Sequence, residues 1–222
     1  MRQGCRRRLN TVPADLIHLV RHGEVHNPDR ILYGRLPGYH LSELGHTMAD
    51  VAAASFADRP LTALYASPLQ RAQESAQPWS ERYALPIATE ERIIEPANWF
   101  EGGRLQFPKV LTQPRAWPHL VNPLKPSWGE AYVSIEARML AAIDDAWSAA
   151  EGGEVVMVSH QLPIVMVARS VKKMRLAHDP RNRRCTLSSV TTLAREGDHF
   201  VEVDYQEPAG ELLAASIDLG AV

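Results

Sequence analysis

Four basic side chains stand where a folded chain can gather them. Arg21 and His22 follow the run Leu16-Ile17-His18-Leu19-Val20 and precede Gly23-Glu24. His160 follows a second apolar run, Glu154-Val155-Val156-Met157-Val158-Ser159, and Arg71 comes just after Ser67-Pro68-Leu69-Gln70. An imidazole beside guanidinium groups suits an anionic substrate, because Arg grips phosphate bidentately and His serves as nucleophile or acid/base. A phosphoryl group in transfer spreads negative charge over its oxygens, and pre-positioned positive donors stabilise that charge as it develops. One His can attack phosphorus and carry the group while the other donates hydrogen bonds to the same oxygens. The leaving alkoxide still needs a proton, which a carboxylic acid near the pocket would supply.

The elements that must position these groups follow from the pattern. The two apolar runs read as strands buried on both faces. Both present a histidine at the carboxyl end, where the ligand crevice of an open α/β sheet lies. Leu61 to Ala66 predicts a further short strand, and Pro86 to Thr89 another. Ser42 is a good N-cap for a helix whose face would be Leu44, Met48, Val51 and Ser55. Ser67-Pro68-Leu69-Gln70 has capping-box spacing, so a helix is expected to start at Ser67, with Arg71 near its positive end and Pro78 kinking or ending it. A long helix from about Glu130 to Ala150 carries Met139, Ile143 and Trp147 at intervals of four. Leu162 to Val171 predicts the next helix. Leu187 to Leu193 and Phe200 to Tyr205 predict a closing strand pair turned at Gly197-Asp198. Strands alternating with helices imply a mostly parallel sheet with helices on both faces.

Composition bounds the function. The chain has 222 residues, a formal net charge of -2 and only two cysteines, Cys5 and Cys185. That balance argues against a dedicated nucleic-acid binder, and the cysteines are too few for a disulfide framework or a Cys-rich zinc site. No apolar run approaches a membrane span, so a soluble, cytoplasmic protein with no membrane partner is expected. Residues 1–14 are expected to be a flexible basic tail on a single domain over 15–222. From Pro96 to Gly129 the chain holds six prolines and three tryptophans. We expect this insertion, 96–129, to form a cap over the crevice, since its aromatic content opposes disorder. Arg181, Arg183 and Arg184 read as a solvated turn, with attraction of a second anionic group as the alternative, and His18 as a packed core histidine.

These motifs carry a resemblance. Leu19-Val20-Arg21-His22-Gly23-Glu24 is similar to the signature of the histidine phosphatase superfamily, in its phosphoglycerate mutase-like branch. Ser67 to Ala72 resembles the family's second phosphate-binding segment, Val158-Ser159-His160 its second-histidine segment, and Glu91 to Gly102 the segment with its proton donor. Trp128-Gly129-Glu130 resembles the start of its long helix. The resemblance implies a three-layer α/β/α sandwich and phosphomonoester hydrolysis of a small phosphorylated metabolite through a phosphohistidine, with no metal or other cofactor. It implies His22 as nucleophile, Arg21, Arg71 and His160 as the phosphate pocket, and Glu95 as proton donor, with Glu91 as the alternative carboxyl. Asn27 lies one residue before the position where the family often has a phosphate-binding Asn. Gln161 replaces the common Gly after the second histidine and is placed to contact substrate. A phosphoglycerate mutase is the alternative function, and a catalytically silent phosphate-binding domain the second alternative. Pro96-Ala97-Asn98-Trp99 stands where the mutases have Arg-His-Tyr-Gly, which favours hydrolysis.

Overall fold

The computed structural model describes residues 12–99, 101–103 and 129–218. Six strands form one sheet. They are β1 (Leu16–Arg21), β2 (Leu61–Ala66), β3 (Ile87–Thr89), β4 (Glu154–Ser159), β5 (Val190–Glu196) and β6 (His199–Gln206). Their spatial order is β3-β2-β4-β1-β5-β6. The first four are mutually parallel, while β5 runs antiparallel to β1 and β6 antiparallel to β5, so the sheet is mixed.

Period-two alternation sends successive side chains of the central strands to opposite faces. Ile17, Leu19, Val155 and Met157 pack on one face under α3 (Tyr132–Ala149) and α4 (Gln161–Val171). Val20, Val156 and Val158 pack on the other, under α1 (Glu43–Ala54) and α2 (Gln70–Tyr83). The result is the expected three-layer α/β/α sandwich. Among the described residues no helix is long and apolar enough to cross a membrane.

Several local expectations need correction. The buried face of α1 is Gly45, Met48, Ala49, Ala52 and Ala53. Val51 is exposed, because at 3.6 residues per turn its position falls outside that arc. The second helix starts at Gln70, with Leu69 at the N-cap position and no side-chain cap. Ser67 is drawn away by a tertiary partner described below. Pro78 sits inside α2 without ending it. It forfeits one backbone hydrogen bond, but Trp79 beside it is buried in the core and holds the second half in place. The helix ends where Ala84 adopts a left-handed conformation at φ 52°.

At the amino-terminal end, residues 12–14 are not tail. Gly152 N donates to the Val12 carbonyl at 2.7 Å, Ala14 N donates to the Trp147 carbonyl at 3.0 Å, and Ala14 is buried. The basic cluster Arg2, Arg6, Arg7 and Arg8 and most of the 96–129 insertion, with its expected cap, lie outside the described residues.

One close approach fixes the loop after β1. A Cβ built on Gly23 would lie 2.3 Å from the Gly45 carbonyl oxygen, and one on Gly45 would lie 2.0 Å from the Glu24 carbonyl oxygen. Only two missing methyl groups let this loop seat on the first turn of α1. Ser42 completes the junction. Its N–H donates to the Glu24 carbonyl at 2.9 Å, and its hydroxyl accepts from Gly45 N at 2.9 Å.

Candidate active site

Register brings the two histidines together. β1 and β4 are adjacent and parallel with Arg21 opposite Ser159, so the next residue of each strand, His22 and His160, emerges at one edge. Their ring centroids are 5.2 Å apart. β2 flanks β4 on the other side, and Ser67 N continues the ladder onto the Val158 carbonyl at 2.9 Å. This sets the Ser67 hydroxyl 2.7 Å from His160 Nε2. Arg71 follows in the first turn of α2, and Glu95 follows a short 3-10 turn at Glu91–Ile93 after β3. The carboxyl ends of four parallel strands therefore deliver His22, His160, Arg71 and Glu95 to one crevice.

The nucleophile candidate is held in one orientation. His22 Nδ1 lies 2.7 Å from the Gly23 carbonyl oxygen, which can only accept, so Nδ1 carries the hydrogen and Nε2 keeps a lone pair. Burial, then the charges of Arg71 and Arg21, hold its pKa well below the usual histidine value. The same causes, in the same order, with His22 acting between the two arginines, lower that of His160. Both rings are therefore neutral at neutral pH.

Glu95 is buried, and its Oε2 lies 3.8 Å from His160 Nδ1. Burial pushes its pKa up to about 7, against the opposing pull of Arg71, Arg183 and Arg21. Its backbone carbonyl accepts from Arg35 Nε at 2.5 Å, which anchors the segment. Glu91, the alternative carboxyl, is exposed on the 3-10 turn.

The arginines are partly committed to the protein. Arg71 donates from Nη2 to the Gly34 carbonyl at 2.8 Å, and its guanidinium lies over the Tyr33 ring at 4.7 Å. Arg21 donates to the Cys185 carbonyl and to both carboxylate oxygens of Asp218. Four atoms of this group are buried without a hydrogen-bond partner: Arg21 Nε, Arg71 Nε, His160 Nδ1 and Glu95 Oε1. Each such atom costs on the order of 1–3 kcal/mol. A fold that concentrates this cost in one crevice has built a place for a polar ligand.

Two expected ligands behave differently. Asn27 donates from Nδ2 to the Ile31 carbonyl at 2.8 Å and accepts from Ile31 N at 3.0 Å. These two bonds close the 27–31 loop and leave the second Nδ2 hydrogen of the amide unused by Ile31. Gln161 is buried beside the site, donating to the Cys185 carbonyl at 3.3 Å and accepting from Arg183 Nη1 at 3.2 Å.

Sequence reasoning missed Tyr33 and Asp218, and it read Ser67 as a cap without its bond to His160. Of the three arginines read as a solvated turn, Arg181 pairs with Asp179 in solvent and Arg184 reaches Glu202, but Arg183 turns inward to Gln161 and His178. Among the described residues, no group of three or more His, Cys, Asp or Glu side chains is placed to hold a metal ion.

A mixed α/β/α sandwich with paired histidines at the carboxyl edge of neighbouring parallel strands falls in the class of α/β proteins that bind ligands at that edge. The family follows: the model of the histidine phosphatase superfamily (branch 1) matches residues 17–208, and the chain belongs to that superfamily. Rv0525 of Mycobacterium tuberculosis (strain ATCC 25618 / H37Rv) is 52% identical over 194 residues, 87% of this chain and 96% of its own length. The solved structure of Bacillus stearothermophilus YhfR matches with a TM-score of 0.70 and 26% identity, covering 87% of this chain and 98% of that one. A mycobacterial glucosyl-3-phosphoglycerate phosphatase, Rv2419c, matches with a TM-score of 0.65 and 25% identity over 81% of this chain and 89% of that one.

Proposed function

We propose that the protein is a phosphomonoester hydrolase acting on a small phosphorylated metabolite through a phosphohistidine. The observation that carries this reading is the state of His22: neutral, with Nδ1 pinned to the Gly23 carbonyl and Nε2 left as the nucleophile. His22 Nε2 attacks phosphorus, the N–P bond forms and the bond to the leaving oxygen breaks. Arg21, Arg71 and His160 hold the phosphoryl oxygens as charge develops on them. Glu95 enters as the carboxylic acid and gives its proton to the leaving alkoxide. Its carboxylate then takes a proton from water as that water attacks phosphorus, releasing phosphate and restoring His22. The likeness to a protein named as a phosphatase supports hydrolysis as the outcome.

The test is turnover of p-nitrophenyl phosphate by wild type and His22→Ala, together with trapping of an acid-labile, alkali-stable phosphoprotein. Turnover and trapped phosphate are both expected to disappear in the variant. Equal turnover by the two proteins would end this reading.

A further inference from the structure

Arg21 has five N–H groups, and three of them are accounted for. Nη1 donates to the Cys185 carbonyl at 2.6 Å and to Asp218 Oδ2 at 2.7 Å, and Nη2 donates to Asp218 Oδ1 at 2.6 Å. The carboxylate thus caps the end of the guanidinium, across Nη1 and Nη2. Nε has no partner and is buried. What remains is the side edge, made by Nε–H and the second hydrogen of Nη2. A guanidinium can present two parallel donors to a phosphate from that edge.

Asp218 comes from the outside. Its side chain is 34% exposed while that of Arg21 is 1% exposed. It belongs to a strap, residues 216–218, that is fastened next to the nucleophile loop. Ile217 N donates to Glu24 Oε1 at 2.6 Å, and Glu24 Oε2 accepts from the Ser42 hydroxyl. One carboxylate of the β1 loop therefore holds the strap, and one carboxylate of the strap holds the β1 arginine. The carbonyl of Cys185 closes the remaining direction, and Gln161 shares that carbonyl.

We propose that Asp218 is a positioning residue for phosphate recognition: it locks the Arg21 guanidinium so that its Nε/Nη2 edge is the one offered to the phosphoryl group. The proposal rests on the reading of Arg21 as a phosphate-binding group. A long side chain without such a clamp would have to be ordered at the moment of binding, and that cost would be taken from affinity. An acidic group against a phosphate-binding arginine looks like a competitor. Here the carboxylate takes the end of the fork and leaves the side edge open, so it serves the ligand instead of replacing it.

The experiment measures binding of inorganic phosphate by calorimetry, with KM and kcat for p-nitrophenyl phosphate, in full-length wild type, Asp218→Asn, Asp218→Ala and Asp218→Glu. Asn keeps the shape of Asp and one acceptor oxygen, so it tests the charge and the fork without removing the side chain. Phosphate affinity is expected to fall about tenfold in Asn and Ala, the loss of one charge-assisted hydrogen bond. KM should rise by a similar factor, the pH at which kcat/KM declines should not move, and Glu should restore most of the affinity. Unchanged affinity in Asn and Ala overturns the proposal, and tighter binding overturns it in favour of a competing carboxylate. Because phosphate binding needs no turnover, a protein that binds phosphate through Asp218 but hydrolyses nothing would sink the proposed function and leave this inference standing. A wild type that binds no phosphate would sink both.

Discussion

The sheet carries two buried histidine–glutamate pairs, one in its interior and one at its carboxyl edge. In the interior, His18 is bonded through both ring nitrogens, Nδ1 to Thr192 Oγ1 at 3.0 Å and Nε2 to Glu154 Oε2 at 2.8 Å. The Glu154 carboxylate is shared with Arg59 at 3.1 Å, and Phe56 packs edge-on against the imidazole. At the carboxyl edge, His160 and Glu95 stand 3.8 Å apart, each with one buried polar atom unmatched. The residue types are the same and the burial is similar. Saturation separates them. A pair whose hydrogen bonds are all made contributes to the fold, and a pair whose bonds are left open is available to a ligand.

That contrast is open to attack by mutation. His22→Ala should cut turnover of p-nitrophenyl phosphate by roughly 10⁴-fold or more, because removing the proposed nucleophile leaves only binding and electrostatics. A stopped assay with the purified variant measures it.

Glu95→Gln should cost on the order of 10²- to 10⁴-fold with an alkyl phosphate, whose leaving oxygen needs a proton, and much less with p-nitrophenyl phosphate. The pH profile sharpens the same point. In the proposed mechanism Glu95 acts in its protonated form, and its pKa is pushed up to about 7, so kcat/KM of the wild type should fall as pH rises past that value. His22 is held neutral well below its usual pKa, so no matching acid limb is expected near pH 6.5. Loss of the alkaline limb in Glu95→Gln would tie it to this carboxyl.

His18→Leu should behave in the opposite way. It strands part of the Glu154 carboxylate and should cost about 1–3 kcal/mol of stability, lowering the melting temperature by several degrees in calorimetry while kcat stays as in wild type. A large loss of turnover would break the distinction between the two pairs. The smallest effect is expected at Asn27, whose amide is bonded at both ends to Ile31 of its own loop. Asn27→Ala should leave phosphate affinity within a factor of a few, read by calorimetry, and a loss beyond tenfold would return it to the phosphate pocket.

The division between saturated and open groups also marks what could be read in the sequence. Strand ends were legible because an apolar run that stops at Arg-His or Ser-His is a local signal, and the register of parallel neighbours does the rest. Ser67 was misread because its spacing to Gln70 looks like a cap, while its partner is His160, ninety-three residues away. Arg181, Arg183 and Arg184 look alike in sequence, and only the backbone path decides which of them turns inward. Asp218 gave no signal at all, since an acidic residue near the end of a chain is ordinary until its partner is known. Pro78 reads as kinking or ending its helix, and tertiary packing carries the helix on past it to Tyr83.

The interlocked glycines at the nucleophile loop carry a warning for anyone engineering this fold. Gly45→Ala is a change that helix propensity alone favours by about 1 kcal/mol, and a design guided by propensity would choose it. The added methyl would meet the Glu24 carbonyl oxygen, so the loop or the first turn of α1 must give way two residues from the proposed nucleophile.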